Sequence, residues 1–358
     1  MDGSAVLLVV VGATFVCLGC LFIVTWFRKK QSPSEIDVET AFHAIPSTPT
    51  SRLPIKHNTP REDVAFDILS DLNLPRLDER AVTLCHKVHA GGTTDLWRGL
   101  YQGQAVAVRR FRRTKRSTMR QVEAFWGEIK LVSAFESPYV VAFVGLVPSS
   151  ASLRGWSAVL EWMDGGDLRS FLATTTCESF PWADKYMHVH SLASALAYLH
   201  AMFVLHRDVQ ARHVLLDAVK GTKLTGFDRS REESGDELTM GVGTFRWMAP
   251  EVIVDDHYTN AADVYSFGVL LSEMDTHQTP YDELKHPLHG HPLADSAIMI
   301  QVVQGKIVPT FSGTCPPWLY ELAMDCLAHN PSDRPTAEQV ARVVRIKLRD
   351  LSHELFSL

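Results

Sequence analysis

The chain has 358 residues, 46% hydrophobic and 21% charged, a composition that buries a core and argues against intrinsic disorder. Its net charge of −6 argues against a dedicated nucleic-acid binder, whose affinity for phosphate rests on clustered Lys and Arg. Six cysteines are scattered as Cys17, Cys20, Cys85, Cys177, Cys315 and Cys326; the only close pair, Cys17 and Cys20, lies inside an apolar run, so neither a disulfide framework nor a zinc site is suggested and all six read as free thiols in a reducing compartment.

The first predicted element is apolar. Ala5 to Phe27, "AVLLVVVGATFVCLGCLFIVTWF", runs 23 residues without a charge, enough to cross about 30 Å of hydrocarbon as a helix. Arg28, Lys29 and Lys30 follow, so the positive-inside bias places residues 28 onward in the cytoplasm and residues 1–4 outside. A cleaved leader would carry a basic start, a shorter apolar core and a small-residue cleavage site, and none is evident. The expectation is a single-pass anchor with no ectodomain. Residues 28–78 are expected as a flexible juxtamembrane linker, rich in Ser, Thr and Pro up to about residue 60. Ser32-Pro33, Thr48-Pro49 and Thr59-Pro60 read first as linker prolines and second as proline-directed phosphorylation sites. Asp63 to Leu74 is expected as a short amphipathic helix.

From about Val82 strand-like pieces follow one another between Gly-containing turns: "VTLCHKV", "DLWRGLY", "QAVAVRRF", "YVVAFVGLV" and "SAVLEWM". Helical patterns then dominate, at Ala183–Ala201, Ala261–Met274, Ser296–Gln304, Pro317–His329 and Thr336–Leu351. Strands followed by helices imply an α+β chain with a small sheet lobe and a larger, mainly helical lobe. No internal repeat of 20–50 residues is present.

Seven motifs occur in a fixed order: "VAVRRF", "GEIKL", "LEWMDGGDL", "LHRDV", "GTFRWMAPEV", "DVYSFGVLLSEM" and "NPSDRPT". Together they resemble the protein kinase superfamily, and within it the tyrosine-kinase-like group. The resemblance implies a two-lobed kinase domain over residues 79–350, followed by a short tail at 351–358. It implies that Glu128 lies on the first large helix and pairs with the residue at 109. It makes Asp208 of His206-Arg207-Asp208 the candidate catalytic base, and Asp263 the residue that caps that loop. Glu251 of Ala249-Pro250-Glu251 is expected to pair with Arg334. Leu96, Ala107 and Leu215 match apolar residues that sandwich an adenine. Leu160 precedes the hinge, where backbone groups of Glu161 and Met163 would meet the purine edge.

The catalytic positions depart from the family pattern. A phosphate cradle needs glycines so that backbone can approach the oxygens. "HAGGTT" keeps only Gly91, with His89 and Thr94 at the other glycine positions. The strand Lys is Arg109, which is not interchangeable with Lys at a fitted site. The catalytic-loop Lys is Gln210, and the metal-binding Asn is His213. The metal-binding Asp-Phe-Gly is inverted to Gly226-Phe227-Asp228. One preorganised catalytic group is worth about 10²–10³ in rate, so several losses imply a transfer step below usefulness.

The reading is a membrane-anchored pseudokinase, a scaffold or allosteric regulator of other signalling proteins, an active kinase among them. ATP, bound weakly, is the implied cofactor, and Mg²⁺ is doubtful. The rival is an active Ser/Thr kinase in which Asp228 swings in as a substitute ligand beside His213. Ser230, Ser234, Thr239 and Thr244 are candidate phosphorylation sites. The basic run Arg109–Arg116 reads as a solvated loop before it reads as a lipid contact. "HPLHGHPL", His286–Leu293, reads as a polar insertion rather than a metal tract.

Overall fold

The computed structural model describes residues 74–112, 118–148, 156–228, 230–232, 245–255, 258–285 and 290–356. The expected span at 5–27, the linker up to residue 73 and the helix expected at Asp63–Leu74 (all but its last residue) lie outside them. So do Ser234, Thr239 and Thr244, residues 113–116 of the basic run, and residues 286–289 of the His-rich tract. Among the described residues no helix is long and apolar enough to cross a membrane.

Five strands form the small lobe: β1 (Val82–Ala90), β2 (Thr94–Tyr101), β3 (Gln104–Phe111), β4 (Phe143–Val147) and β5 (Ser157–Glu161). They make one antiparallel sheet in the order β1-β2-β3-β5-β4. The alternation in β3 sorts its residues by face. Val106 and Val108 are buried in an apolar cluster with Leu77, Val147 and Val159, while Ala107 and Arg109 share the opposite face. Helix α1 (Met119–Ser133) begins with a capping box, because Thr118 and Gln121 each satisfy the other's backbone N–H. Val122, Phe125, Trp126, Ile129 and Val132 recur at helical spacing and are all buried, which turns Glu128 towards the sheet.

The large lobe contains β6 (Gly166–Asp167), α2 (Leu168–Thr174), α3 (Trp182–Ala201), β7 (Val204–Leu205), β8 (Val214–Asp217), β9 (Gly221–Leu224) and β10 (Arg231–Glu232). It continues with α4 (Pro250–Asp255), α5 (Asn260–Thr276), α6 (Asp295–Val303), α7 (Pro317–Cys326) and α8 (Ala337–Phe356). Helix α5 is its axis, buried on every side from Ala262 to Asp275. Polar residues on such a helix need partners, and Asp263, Ser266, Glu273 and Asp275 all have them.

Three elements end differently from expectation, each for a visible reason. The strand expected from Tyr139 begins only at Phe143, because the Tyr139 carbonyl accepts from Leu224 N at 2.8 Å and Val141 N donates to the Leu224 carbonyl at 3.0 Å. That stretch ties the small lobe to β9. The helix expected to reach His329 stops at Cys326, where the carbonyls of Ala328 and His329 accept from the Arg334 guanidinium at 2.7 and 3.2 Å. The last helix runs on through Phe356, past the boundary drawn at residue 350.

Burial also creates a pH dependence. Glu273 is 2% exposed, and loss of solvent pushes its carboxyl up from 4.5 to about 7, although bonds from Ala211 N at 3.1 Å and Trp247 Nε1 at 2.7 Å oppose the shift. A raised carboxyl means that the folded chain holds a proton the unfolded chain has lost. This contribution is therefore complete below pH 4.5 and is lost as the pH rises to about 7. The loss amounts to about 3 kcal/mol. Glu273→Gln, which keeps the accepting oxygen, is expected to flatten that slope in urea unfolding between pH 5 and 8. An unchanged slope would show that Glu273 is not its source.

Candidate active site

Four elements meet at the catalytic loop: α3 from behind, β7 leading in, a 3-10 turn at Ala211–His213 leading out, and α5 beneath. Asp263 of α5 holds the loop as the sequence implied. One carboxylate oxygen accepts from Arg207 N at 2.8 Å and Tyr258 OH at 2.9 Å; the other accepts from His206 N at 2.8 Å and bonds His200 Nε2 at 3.0 Å. Burial alone would raise this carboxyl, but the His200 contact and the loop amides outweigh it, leaving it below its ordinary value. His206 is fully enclosed, and burial lowers its imidazole towards the neutral form. Its Nε2–H donates to the Thr225 carbonyl at 2.9 Å, and its Nδ1 accepts from Asp208 N at 3.2 Å.

The candidate base, Asp208, is 5% exposed and does not stand free. Gln210 Nε2 donates to Oδ1, and Arg212 Nη2 lies 3.4 Å from Oδ2. Gln210 is itself buried, so this amide sits where the family has a cation. Arg109 of β3 pairs with Glu128 of α1, as expected. Burial raises the Glu128 carboxyl, Arg109 works against that, and the Asp228 carboxylate adds to it.

The position of Asp228 bears on the rescue considered above. It is exposed and lines a cavity of about 760 Å³ along α1, together with Glu128, Leu131, Phe227 and Ser230. Among the described residues, no three His, Cys, Asp or Glu side chains converge in a way that could hold a metal ion. Phe227 keeps its packing role. It is 2% exposed, with its ring centroid 5.0 Å from both Phe135 and His206.

Gly226 and His213 are in close contact. Gly226 has φ +88°, and a Cβ placed on it would lie 2.6, 2.7 and 2.8 Å from Cγ, Cδ2 and Nδ1 of His213. The ring is anchored, since Nδ1–H donates to the Asp208 carbonyl at 2.8 Å. The residues at 213, 226 and 208 thus offer Mg²⁺ an imidazole, a bare backbone and a carboxylate already hydrogen-bonded, a poor match for an ion that prefers an octahedron of oxygens.

Gly91 has a meaning other than the phosphate cradle. Its N–H donates to the Thr94 carbonyl at 2.9 Å, and a Cβ there would meet that oxygen at 2.7 Å. The glycine is required by the β1–β2 turn, and its N–H is spent within it. The residues that the family resemblance places around an adenine come from two sheets. Leu96, Ala107 and Leu160 lie on β2, β3 and β5, with Ala107 directly opposite Leu160, and Leu215 lies on β8. At the hinge, Met163 is buried, Glu161 N donates to the Ala142 carbonyl at 3.0 Å, and the Glu161 carboxylate binds Lys223 at 2.6 Å. A contact not anticipated from the sequence is that of Arg98, whose guanidinium lies 5.6 Å from the ring centroid of Trp162 in the hinge. The signal was available, because Arg98 falls on the same alternating face as Leu96.

Ser230 needs a correction as a phosphorylation site. It is 9% exposed and its hydroxyl donates to the His206 carbonyl at 2.9 Å, so phosphate there would have to displace a buried bond. In the basic run, Arg109, Arg110 and Arg112 are engaged within the small lobe, with Glu128, Ser157 and Asp95.

A family profile described as "Protein tyrosine and serine/threonine kinase" matches residues 82–344. The chain belongs to this kinase family. Among similar proteins, the probable serine/threonine-protein kinase kinX of Dictyostelium discoideum is 27% identical over 72% of this chain and 23% of its own length. The serine/threonine/tyrosine-protein kinase HT1 of Arabidopsis thaliana is 29% identical over 72% of this chain and 64% of its own. The serine/threonine-protein kinase STY46 of Arabidopsis thaliana is 27% identical over 75% and 44%. The chain thus spans less than two thirds of the length of these relatives. In this kinase domain the structural pairs, Arg109–Glu128, Glu251–Arg334 and Asp263 with the catalytic loop, are formed, while positions 210, 213 and 226 carry other chemistry.

Proposed function

We propose that this kinase-domain protein is a membrane-anchored cytoplasmic pseudokinase. It acts by contact, as a scaffold or allosteric regulator of another signalling protein, and it binds nucleotide weakly or without metal. One observation carries the reading: the carboxylate removed from position 226 reappears at Asp228, where it faces α1 and Glu128 instead of joining Asp208 and His213. Phosphoryl transfer depends on positioned charge more than on covalent chemistry by the protein. Loss of the Lys at 210 and of two metal-ligand positions, at about 10²–10³ each, lowers the rate by several orders of magnitude even if the losses add only in part. The skeleton that shapes a kinase surface persists, which suits a role in binding. The apolar run at residues 5–27 supports the anchor.

A second reading, an active Ser/Thr kinase, has one observation in its favour: Asp208 is retained in a buried loop held by Asp263. Incubating the full-length chain with γ-labelled ATP and Mg²⁺ or Mn²⁺ separates the two. No transfer above that of an Asp208→Asn variant is expected. Transfer to itself or to a general substrate protein, abolished by Asp208→Asn, would overturn the pseudokinase reading.

A further inference from the structure

The contact between Gly226 and His213 says more than that two ligand positions have changed. The atom closest to the Cβ position of Gly226 is His213 Cγ, at 2.6 Å. This is the root of the ring, not the far end of a flexible chain, so it cannot step aside without a change of χ1. That change would break the bond from Nδ1 to the Asp208 carbonyl at 2.8 Å. The ring is 16% exposed and sits between the catalytic loop and the 226–228 turn, with the His206 ring centroid 6.2 Å away. The space in which a side chain at 226 would begin is therefore already filled.

We propose that His213 and Gly226 form a matched steric pair that closes this cleft to divalent cations, so that a nucleotide enters only as its metal-free polyphosphate. The proposal rests on the pseudokinase reading and specifies its ligand. His213 becomes a specificity-determining residue: it excludes the metal by occupying space, and glycine at 226 is what its ring requires. A carboxylate restored at 226 alone therefore meets the imidazole and cannot take up a ligand position. Ions of the Mg²⁺ type are held by one or two carboxylates plus substrate phosphates, so reversal needs both residues changed together.

The test uses the full-length chain and two readouts. First, Gly226→Ala adds only the Cβ. It is expected to lower the melting temperature by roughly 4–8 °C more beside His213 than in a His213→Ala background, which removes the Cγ that the new methyl would meet. Strain from placing Ala at positive φ is common to both backgrounds and cancels. Second, ATP affinity is compared with Mg²⁺ and with EDTA. The natural chain and Gly226→Asp are expected to show no gain from Mg²⁺. His213→Asn/Gly226→Asp is expected to gain about tenfold, an ordinary size for coupling between two ligands. An equal cost of Gly226→Ala in the two backgrounds would overturn the proposal. So would tighter ATP binding with Mg²⁺ by the natural chain or by Gly226→Asp alone. Neither readout uses phosphoryl transfer, so failure of the steric pair and failure of the pseudokinase reading are seen separately.

Discussion

Asp263→Ala is expected to lower the stability of the folded chain by about 2–6 kcal/mol, because it leaves the backbone amides of His206 and Arg207 buried without an acceptor, at about 1–3 kcal/mol each. Asp263 is fully buried, and its two oxygens serve four partners on three segments. An apolar replacement supplies none of these contacts. Asp263→Asn keeps one oxygen and is expected to cost less than the alanine variant, since only part of the set is lost. Urea unfolding of the full-length chain near neutral pH measures both. A cost for Asp263→Ala no larger than that of a surface substitution, within about 0.5 kcal/mol, would show that the loop does not depend on this carboxylate. Because the Asp263 carboxyl is held below its ordinary value, its contribution is present above that value and is lost only on acidification.

Glu251→Ala is expected to cost about 3–5 kcal/mol, the range for removing one partner of a buried ion pair. Arg334 has no exposed side-chain surface, and its guanidinium meets both Glu251 oxygens, at 2.6 and 2.8 Å. It also donates to the Ala261 carbonyl at 2.9 Å and lies 4.9 Å from the ring centroid of Tyr265, so it joins α4, α5 and the turn that precedes α8. Removing the carboxylate leaves a buried positive charge among carbonyls. Arg334→Lys keeps the charge but loses the planar fork, and it too is expected to destabilise. In a double-mutant cycle, Glu251→Ala with Arg334→Met is expected to cost less than the sum of the two singles, since no lone charge then remains. Additive costs, or a loss below about 1 kcal/mol for Glu251→Ala, would mean that the pair does not carry this part of the lobe.

Both expectations concern contacts that the sequence implied through its resemblance to the kinase family. The pairings of Glu128 with position 109, of Glu251 with Arg334 and of Asp263 with the catalytic loop were all legible, because each belongs to a motif whose neighbours confirm it. The strands from β1 to β5 were legible from alternation, and β3 was found at its full extent, Gln104–Phe111. Element ends were less legible where a partner from elsewhere takes the backbone. Arg334 claims the carbonyls after α7, and β9 claims the residues before β4.

The site itself divides in the same way. Sequence alone determined which chemical groups are missing: no carboxylate at 226, no amide at 213, no ammonium at 210 or 109. Those are facts of composition at a position, and folding cannot restore an absent atom. What only the tertiary structure decided is where the remaining groups point and what fills the space left behind. Asp228 faces α1 and not the catalytic loop, Gly91 serves its own turn, Ser230 is bonded beneath the loop, and His213 stands against Gly226. The physical reason is that side-chain direction in turns and loops is set by contacts between distant segments, which no local period encodes, whereas the identity of a side chain is carried by the chain wherever it folds.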